Sequence, residues 1–184
     1  KGEAPRRGLI VIRAHGVSPA RREELRRIGL PLRDATCPDV AKAQAIVRAH
    51  ARRGYEIAII GDRGHAEVEG LLGYSEGRGR VVGSRADAAA LPPGRRICIV
   101  AQTTQEVRLF RDLSSLIRGR SAECLVCDTI CRSTKERQDE TAEIVRYVRE
   151  LLTTNRVSQP TFDALHARLG DQGIVDLTGL VGYY

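Results

Sequence analysis

Methionine and tryptophan are absent from all 184 residues, phenylalanine occurs twice, and aromatic side chains make up 4% of the chain. A natural reading frame opens on methionine, so its absence even at position 1 implies that the sequence begins inside a longer protein. With so few rings, no basic stripe carries the stacking residues that a nucleic-acid surface uses, and nucleic acid is not expected as a partner. No apolar run approaches the ~20 residues of a membrane span. The opening Lys1-Gly2-Glu3-Ala4-Pro5-Arg6-Arg7 lacks the apolar core of a secretory signal. No membrane partner is therefore expected, and the expected location is cytoplasmic.

Five cysteines, an odd number without a secretory signal, favour reduced thiols in metal or catalytic use over a disulfide framework. The net charge is +7, and arginine far outnumbers lysine. Three readings of that charge are open: solvated helix faces such as Arg21–Arg27 and Arg48–Arg53, an anionic small substrate, or a nucleic acid, which the missing rings make the weakest. A diphosphate-sized anion needs only a few donors at helix N-termini.

The length and a hydrophobic content of 42% suit one domain, or two small ones, with a real core. Strand-like runs at Leu9–Arg13, Leu30–Asp34, Glu56–Ile60, Arg80–Val82, Ile97–Val100 and Glu123–Val126 alternate with helical patterns. Ser18 and Pro19 open a helix stopped by Gly29, and Pro38 opens one closed by Gly54. Shorter helices are expected near Glu67–Leu72 and Ala86–Leu91, another over Gln105–Ile117, and a long one from Arg132. This order predicts an α/β fold of repeated βα units with parallel sheets, followed by an all-α tail. In the tail, Ile144, Val145, Val148, Leu151 and Leu152 form a stripe, and Ser158-Gln159-Pro160 starts a helix carrying Phe162, Leu165 and Leu169 that Gly170 ends. A third pattern runs from Asp171 through Ile174, Leu177 and Val181.

Four polar segments follow strands directly: Ala14-His15-Gly16-Val17, Ala35-Thr36-Cys37-Pro38, Gly64-His65-Ala66-Glu67 and Ala101-Gln102-Thr103-Thr104. In an open α/β sheet the carboxyl ends of the strands gather ligands, so these segments are expected to face one cleft. Cys37, before Pro38, and Cys131, before Arg132, stand at helix starts, where the dipole favours thiolate. Thiolates there suit an iron–sulfur cluster; the alternative is a pair of partly buried structural cysteines. Cys124-x-x-Cys127-x-x-x-Cys131 invites a zinc or redox reading, but no second CxxC or histidine pair follows and Leu125-Val126 suggests a strand. Cys98, inside an apolar strand, reads as a small buried hydrophobe. His15 and His65 suit phosphate oxygens, while Glu67 either relays protons or merely complements the helix dipole. His50 reads as ordinary surface, and His166 has no evident partner.

Five motifs in order over about 1–140 carry a resemblance. They are His15-Gly16-Val17-Ser18, Asp34-Ala35-Thr36-Cys37-Pro38, Gly64-His65-x-Glu67-Val68-Glu69-Gly70, Gln102-Thr103-Thr104, and Asp128-x-Ile130-Cys131-x-x-Thr134-x-x-Arg137-Gln138. Together they resemble the LytB-type 4-hydroxy-3-methylbut-2-enyl diphosphate reductases of isoprenoid biosynthesis. The resemblance implies three α/β domains around a 4Fe–4S cluster held by three cysteines, a diphosphate substrate, and a ferredoxin- or flavodoxin-like electron donor. It assigns Cys37 and Cys131 as two cluster ligands, His15 and His65 as diphosphate ligands, Glu67 and Thr103 as the proton-relay pair, and Gln102, Thr104 and Thr134 as lining residues. It leaves Cys124 and Cys127 without a ligand role. The family's first cluster cysteine and first histidine would lie upstream of Lys1, and its later Ser-x-Asn motif is absent. In the tail from Arg146 to Tyr184, Glu150-Leu151-Leu152, Arg156-Val157-Ser158, Gly173-Ile174-Val175-Asp176-Leu177 and Gly182-Tyr183-Tyr184 resemble a segment of the carboxymuconolactone decarboxylase family. The domains implied are the remainder of a first α/β domain over 1–37, a second over 38–122, the start of a third over 123–145, and a helical fragment over 146–184, with a junction near 141–146. The competing reading is a non-catalytic α/β anion-binding module, or a chimeric fragment.

Overall fold

A computed structural model of the chain describes residues 7–183. The opening Lys1–Arg6, most of the segment that lacks the apolar core of a secretory signal, and Tyr184 lie outside the described residues. Two units are present, Lys1–Cys131 and Arg132–Tyr184.

In the first unit, β1 (Ile10–Ile12) and β2 (Leu32–Asp34) pair in parallel, with Ile10 opposite Leu32 and Ile12 opposite Asp34. Both strands are shorter than their apolar runs; Pro31 has no N–H for the ladder, though its carbonyl accepts the Ile10 N–H at 2.9 Å. Between them lies α1 (Pro19–Arg27), capped where the Ser18 hydroxyl accepts the Arg21 N–H at 3.2 Å. After α2 (Pro38–Arg52), the chain builds a parallel sheet from β3 (Glu56–Ile60), β4 (Gly79–Val82), β5 (Arg96–Ala101) and β6 (Glu123–Val126), in the order β4-β3-β5-β6. The crossovers are α3 (Ala66–Tyr74), α4 (Arg85–Ala89) and α5 (Val107–Arg118). α5 starts later than its periodicity suggests because the Gln105 N–H turns back to the Gln102 carbonyl at 3.0 Å. β6, which stands where the sequence places its last strand-like run, pairs with β5, Ile97 lying opposite Cys124.

The central strands are buried on both faces, which is why β3 and β5 are apolar almost throughout. Their residues still divide by parity. Ala58, Ile60, Ile97, Ile99 and Ala101 pack with Phe110, Leu113 and Ile117 of α5. Ile57, Ile59, Cys98 and Val100 pack with Ala43 and Val47 of α2 and with Val68 and Leu71 of α3. Helices thus cover both faces, and the polar loops are left at the strand ends.

The second unit is a helical pair, α6 (Arg132–Thr154) and α7 (Gln159–Tyr183). Tyr147, Leu165 and Ile174 form its buried centre, with Ile144, Leu151, Phe162, Leu169 and Leu177 packed around them. Gly170 breaks α7 with φ 66° and ψ −177°. Positions 141–146, where the sequence suggested a junction, lie inside α6. Among the described residues no helix is long and apolar enough to cross a membrane.

Candidate active site

Glu67, the second residue of α3, is 1% exposed. A carboxylate so deeply buried needs partners, and it has two. Its Oε1 accepts the Thr103 backbone N–H at 2.7 Å and its Oε2 accepts the Thr103 hydroxyl at 2.8 Å. Thr103 is placed by the exit from β5, where the Gln102 N–H donates to the Ile60 carbonyl at 2.8 Å and keeps the loop in line with β3. The Gln102 side chain accepts the Asp62 N–H at 3.0 Å and donates to the Thr104 hydroxyl at 2.8 Å, tying the two loops together. Gly61 permits this approach: a Cβ there would lie 2.7 Å from Val68 Cγ2 and 3.1 Å from Gln102 Cβ. On its other side, Thr103 accepts the Cys131 N–H through its carbonyl at 2.9 Å.

His65 caps α3, its Nδ1 accepting the Glu67 N–H at 3.2 Å. The neutral ring therefore carries its hydrogen on Nε2. The His15 ring stands edge-on to it, with centroids 5.3 Å apart and planes at 72°. His15 Nδ1 is buried without a hydrogen-bond partner among the described residues. The turn that carries His15 is held against the Cys37 segment by backbone bonds, Ala35 N–H to Ile12 O at 2.8 Å and Cys37 N–H to Ala14 O at 3.0 Å. Gly16 has φ +67°, and a Cβ on it would meet Gln44 Nε2 at 2.4 Å. Cys37, Ala14-His15, His65, Glu67, Thr103 and Cys131 are thus linked by an unbroken run of contacts within the first unit. Thr134 stands in the first turn of α6, in the second unit.

The cysteines separate by position. Cys37 is the N-cap residue of α2 and makes no side-chain capping bond, and Cys131 directly precedes α6. Both are partly buried. As thiols at helix starts they have the donor chemistry an iron–sulfur cluster requires. In number they fall short, since among the described residues no three His, Cys, Asp or Glu side chains form a metal-holding group. Cys124 and Cys127 lie on opposite faces of the sheet: Cys124 packs with the α5 side and Cys127 with the α2–α3 side, where its sulfur is 3.9 Å from Cys98 Sγ. Cys98 is fully buried, and that burial pushes its thiol pKa far upward.

His166 has the partner its sequence context hid. Its Nε2 lies 2.7 Å from Asp171 Oδ1, and its ring stacks on Phe162 at 5.4 Å. The residues pair across the Gly170 break, which no periodicity shows. His50 is bonded to the Ile46 carbonyl at 2.9 Å. Two residues of the site neighbourhood were missed, Gln44 and Asp62. Gln44 is 5% exposed on the stripe Val40, Ala43, Val47, Ala51, so a polar residue in an apolar register was the available signal. Asp62 gave none, because its N–H and its Oδ2 both meet the side-chain amide of Gln102, 40 residues away.

A family model described as LytB protein matches residues 2–153. The chain is similar to the 4-hydroxy-3-methylbut-2-enyl diphosphate reductase of Opitutus terrae, 46% identical over 145 residues that cover 79% of this chain and 49% of that protein. It is similar to the enzyme of that name from Geobacter sulfurreducens, 40% identical over 141 residues, 77% of this chain and 50% of that protein. Among solved structures, the E-1-hydroxy-2-methyl-but-2-enyl-4-diphosphate reductase of Plasmodium falciparum superposes with a TM-score of 0.69 at 27% identity, covering 77% of this chain and 45% of that one. A second, titled (E)-4-hydroxy-3-methyl-but-2-enyl diphosphate reductase, the terminal enzyme of the non-mevalonate pathway, gives 0.64 at 34% identity, covering 76% and 51%. The chain spans about half the length of the curated relatives it matches. The family match ends at 153, inside the helical tail. Matched over residues 2–153 by sequence and over three quarters of its length by structure, the chain belongs to the LytB family.

Proposed function

We propose that this chain is part of a 4-hydroxy-3-methylbut-2-enyl diphosphate reductase, an oxidoreductase that removes the substrate's allylic hydroxyl. The balance is one C–O bond broken and one C–H bond formed, with two electrons and two protons taken up and water released, to give isopentenyl and dimethylallyl diphosphates. The observation that carries the reading is the buried Glu67 carboxyl gripped twice by Thr103, beside the His15–His65 pair. A carboxyl group oriented in this way can hold a proton and deliver it to a departing hydroxyl, and the Thr103 hydroxyl fixes the oxygen it faces. His65 offers Nε2–H and His15 a second ring to diphosphate oxygens, with Gln102 and Thr104 shaping the adjoining loop.

Cys37 and Cys131 are proposed as two of three thiolate ligands to a 4Fe–4S cluster, which when bound supplies the electrons. The third ligand would come from outside the described residues, and a protein such as ferredoxin or flavodoxin would recharge the cluster. A cytoplasmic location belongs to the same proposal. The reading is tested in the whole enzyme under anaerobic conditions with Glu67→Gln. The expected result is a kcat lowered by about 100-fold or more, the usual worth of a general acid, with substrate affinity within about threefold. Turnover at the wild-type rate would overturn it.

A further inference from the structure

The geometry points to Asp34 as a positioning residue that sets Cys37 at the start of α2 through Thr36, with Arg22 holding Asp34 from α1. The inference rests on the reading of Cys37 as a functional thiol. Asp34 ends β2, and its side chain does not address the sulfur. Its Oδ1 accepts both the Thr36 N–H, at 3.0 Å, and the Thr36 hydroxyl, at 2.5 Å. Its Oδ2 takes Arg22 Nη1 at 2.6 Å. One carboxylate thereby fixes the backbone and side chain of the residue just before Cys37 and ties both to a different helix.

Thr36 is wedged as well as bonded. A Cβ on Gly16 would come within 3.1 Å of Thr36 Cγ2 and 3.4 Å of Thr36 Oγ1, so Thr36 packs directly on the turn that carries His15. The ladder bonds from Ala35 to Ile12 and from Cys37 to Ala14 run on either side of it. Moving Thr36 therefore moves Cys37 and the His15 turn together. Cys37 makes no capping bond of its own, which leaves its side chain dependent on this backbone for its direction. The Thr36 hydroxyl is the main cause that holds the Asp34 carboxyl below the ordinary carboxylate range, so the clamp is charged at neutral pH. The Arg22 and Asp34 side chains are 22% and 38% exposed, and an ion pair so placed adds little to global stability. Its effect should be local.

The test uses the full chain and reads the alkylation rate of each cysteine with iodoacetamide, resolved by mass spectrometry, in Asp34→Ala, Asp34→Asn, Thr36→Val and Thr36→Ser. Thiol reactivity follows exposure and local field, so a displaced Cys37 is expected to change rate by about threefold or more in Asp34→Ala and Thr36→Val, with Cys127 and Cys131 unchanged. Thr36→Ser, which keeps the hydroxyl, should return the rate to near wild type, and Asp34→Asn, which keeps the acceptor for Thr36 but turns an amide donor toward Arg22, should fall between wild type and Asp34→Ala. A Cys37 rate unmoved in both Asp34→Ala and Thr36→Val would overturn the proposal. So would an equal change at every cysteine, which would mean general loosening; Thr36→Val serves as the second probe if Asp34→Ala fails to fold. Alkylation needs no cluster and no substrate, so a chain that passes here yet binds no diphosphate would fail the functional reading alone.

Discussion

At the scale of single residues, the site depends on close approaches that leave no spare room. Gly16 lies in the left-handed region at φ +67°, with its missing Cβ directed at the Gln44 amide. Gly16→Ala should cost about 1–3 kcal/mol, the usual range for a non-glycine residue in such a conformation. Gln44→Ala added to it should recover the steric part of that loss and leave the backbone part, a distinction that chemical denaturation of the single and double variants measures. Glu67→Ala should cost about 1–3 kcal/mol, because it strands the Thr103 N–H and hydroxyl in the interior. Asp34, with its carboxyl depressed, stabilises the fold above its unfolded value of about 3.9. That contribution disappears as pH falls through the lower folded value, so Asp34→Asn should flatten the acid limb of the stability curve below about pH 4. Above that range the slopes of the two proteins should coincide.

At the scale of elements, β3, β6 and the N-terminus of α2 were legible from composition and punctuation: Glu56–Ile60 and Glu123–Val126 stand where their residues place them, and Pro38 opens its helix. β1 and β2 came out short because strand propensity cannot show where pairing ends, and Pro31 limits the ladder from one side. The positions of His15, Cys37, His65 and Glu67 at strand ends could be read from order alone. The Glu67–Thr103 pair joins residues 36 apart in sequence, and its hydrogen-bond geometry could not be read from spacing. Arg22, Asp34 and Thr36 stayed hidden for a similar reason, since their ion pair and packing depend on how α1 sits beside β2. In the helical unit, Gly170 was readable as a stop, and its φ and ψ lie in a region that essentially only glycine occupies. Gly170→Ala should therefore destabilise α6–α7 by about 1–3 kcal/mol. Amide hydrogen exchange resolved along the chain should show the loss of protection in α6 and α7 and spare the α/β unit.

At the scale of the whole molecule, a net charge of +7 makes unspecific anion binding the main rival to a defined diphosphate site. The four histidines separate the two cases, because His15 and His65 face one another at the site while His50 and His166 are engaged elsewhere. Titration of the chain with 4-hydroxy-3-methylbut-2-enyl diphosphate, followed through the imidazole resonances, tests whether His15 and His65 form a defined diphosphate site. The expected result is that the His15 and His65 signals shift together and saturate, that His50 and His166 stay in place, and that Glu67→Gln leaves this pattern intact. Equal shifts at all four histidines, or shifts at His50 or His166 without His15 and His65, would contradict it.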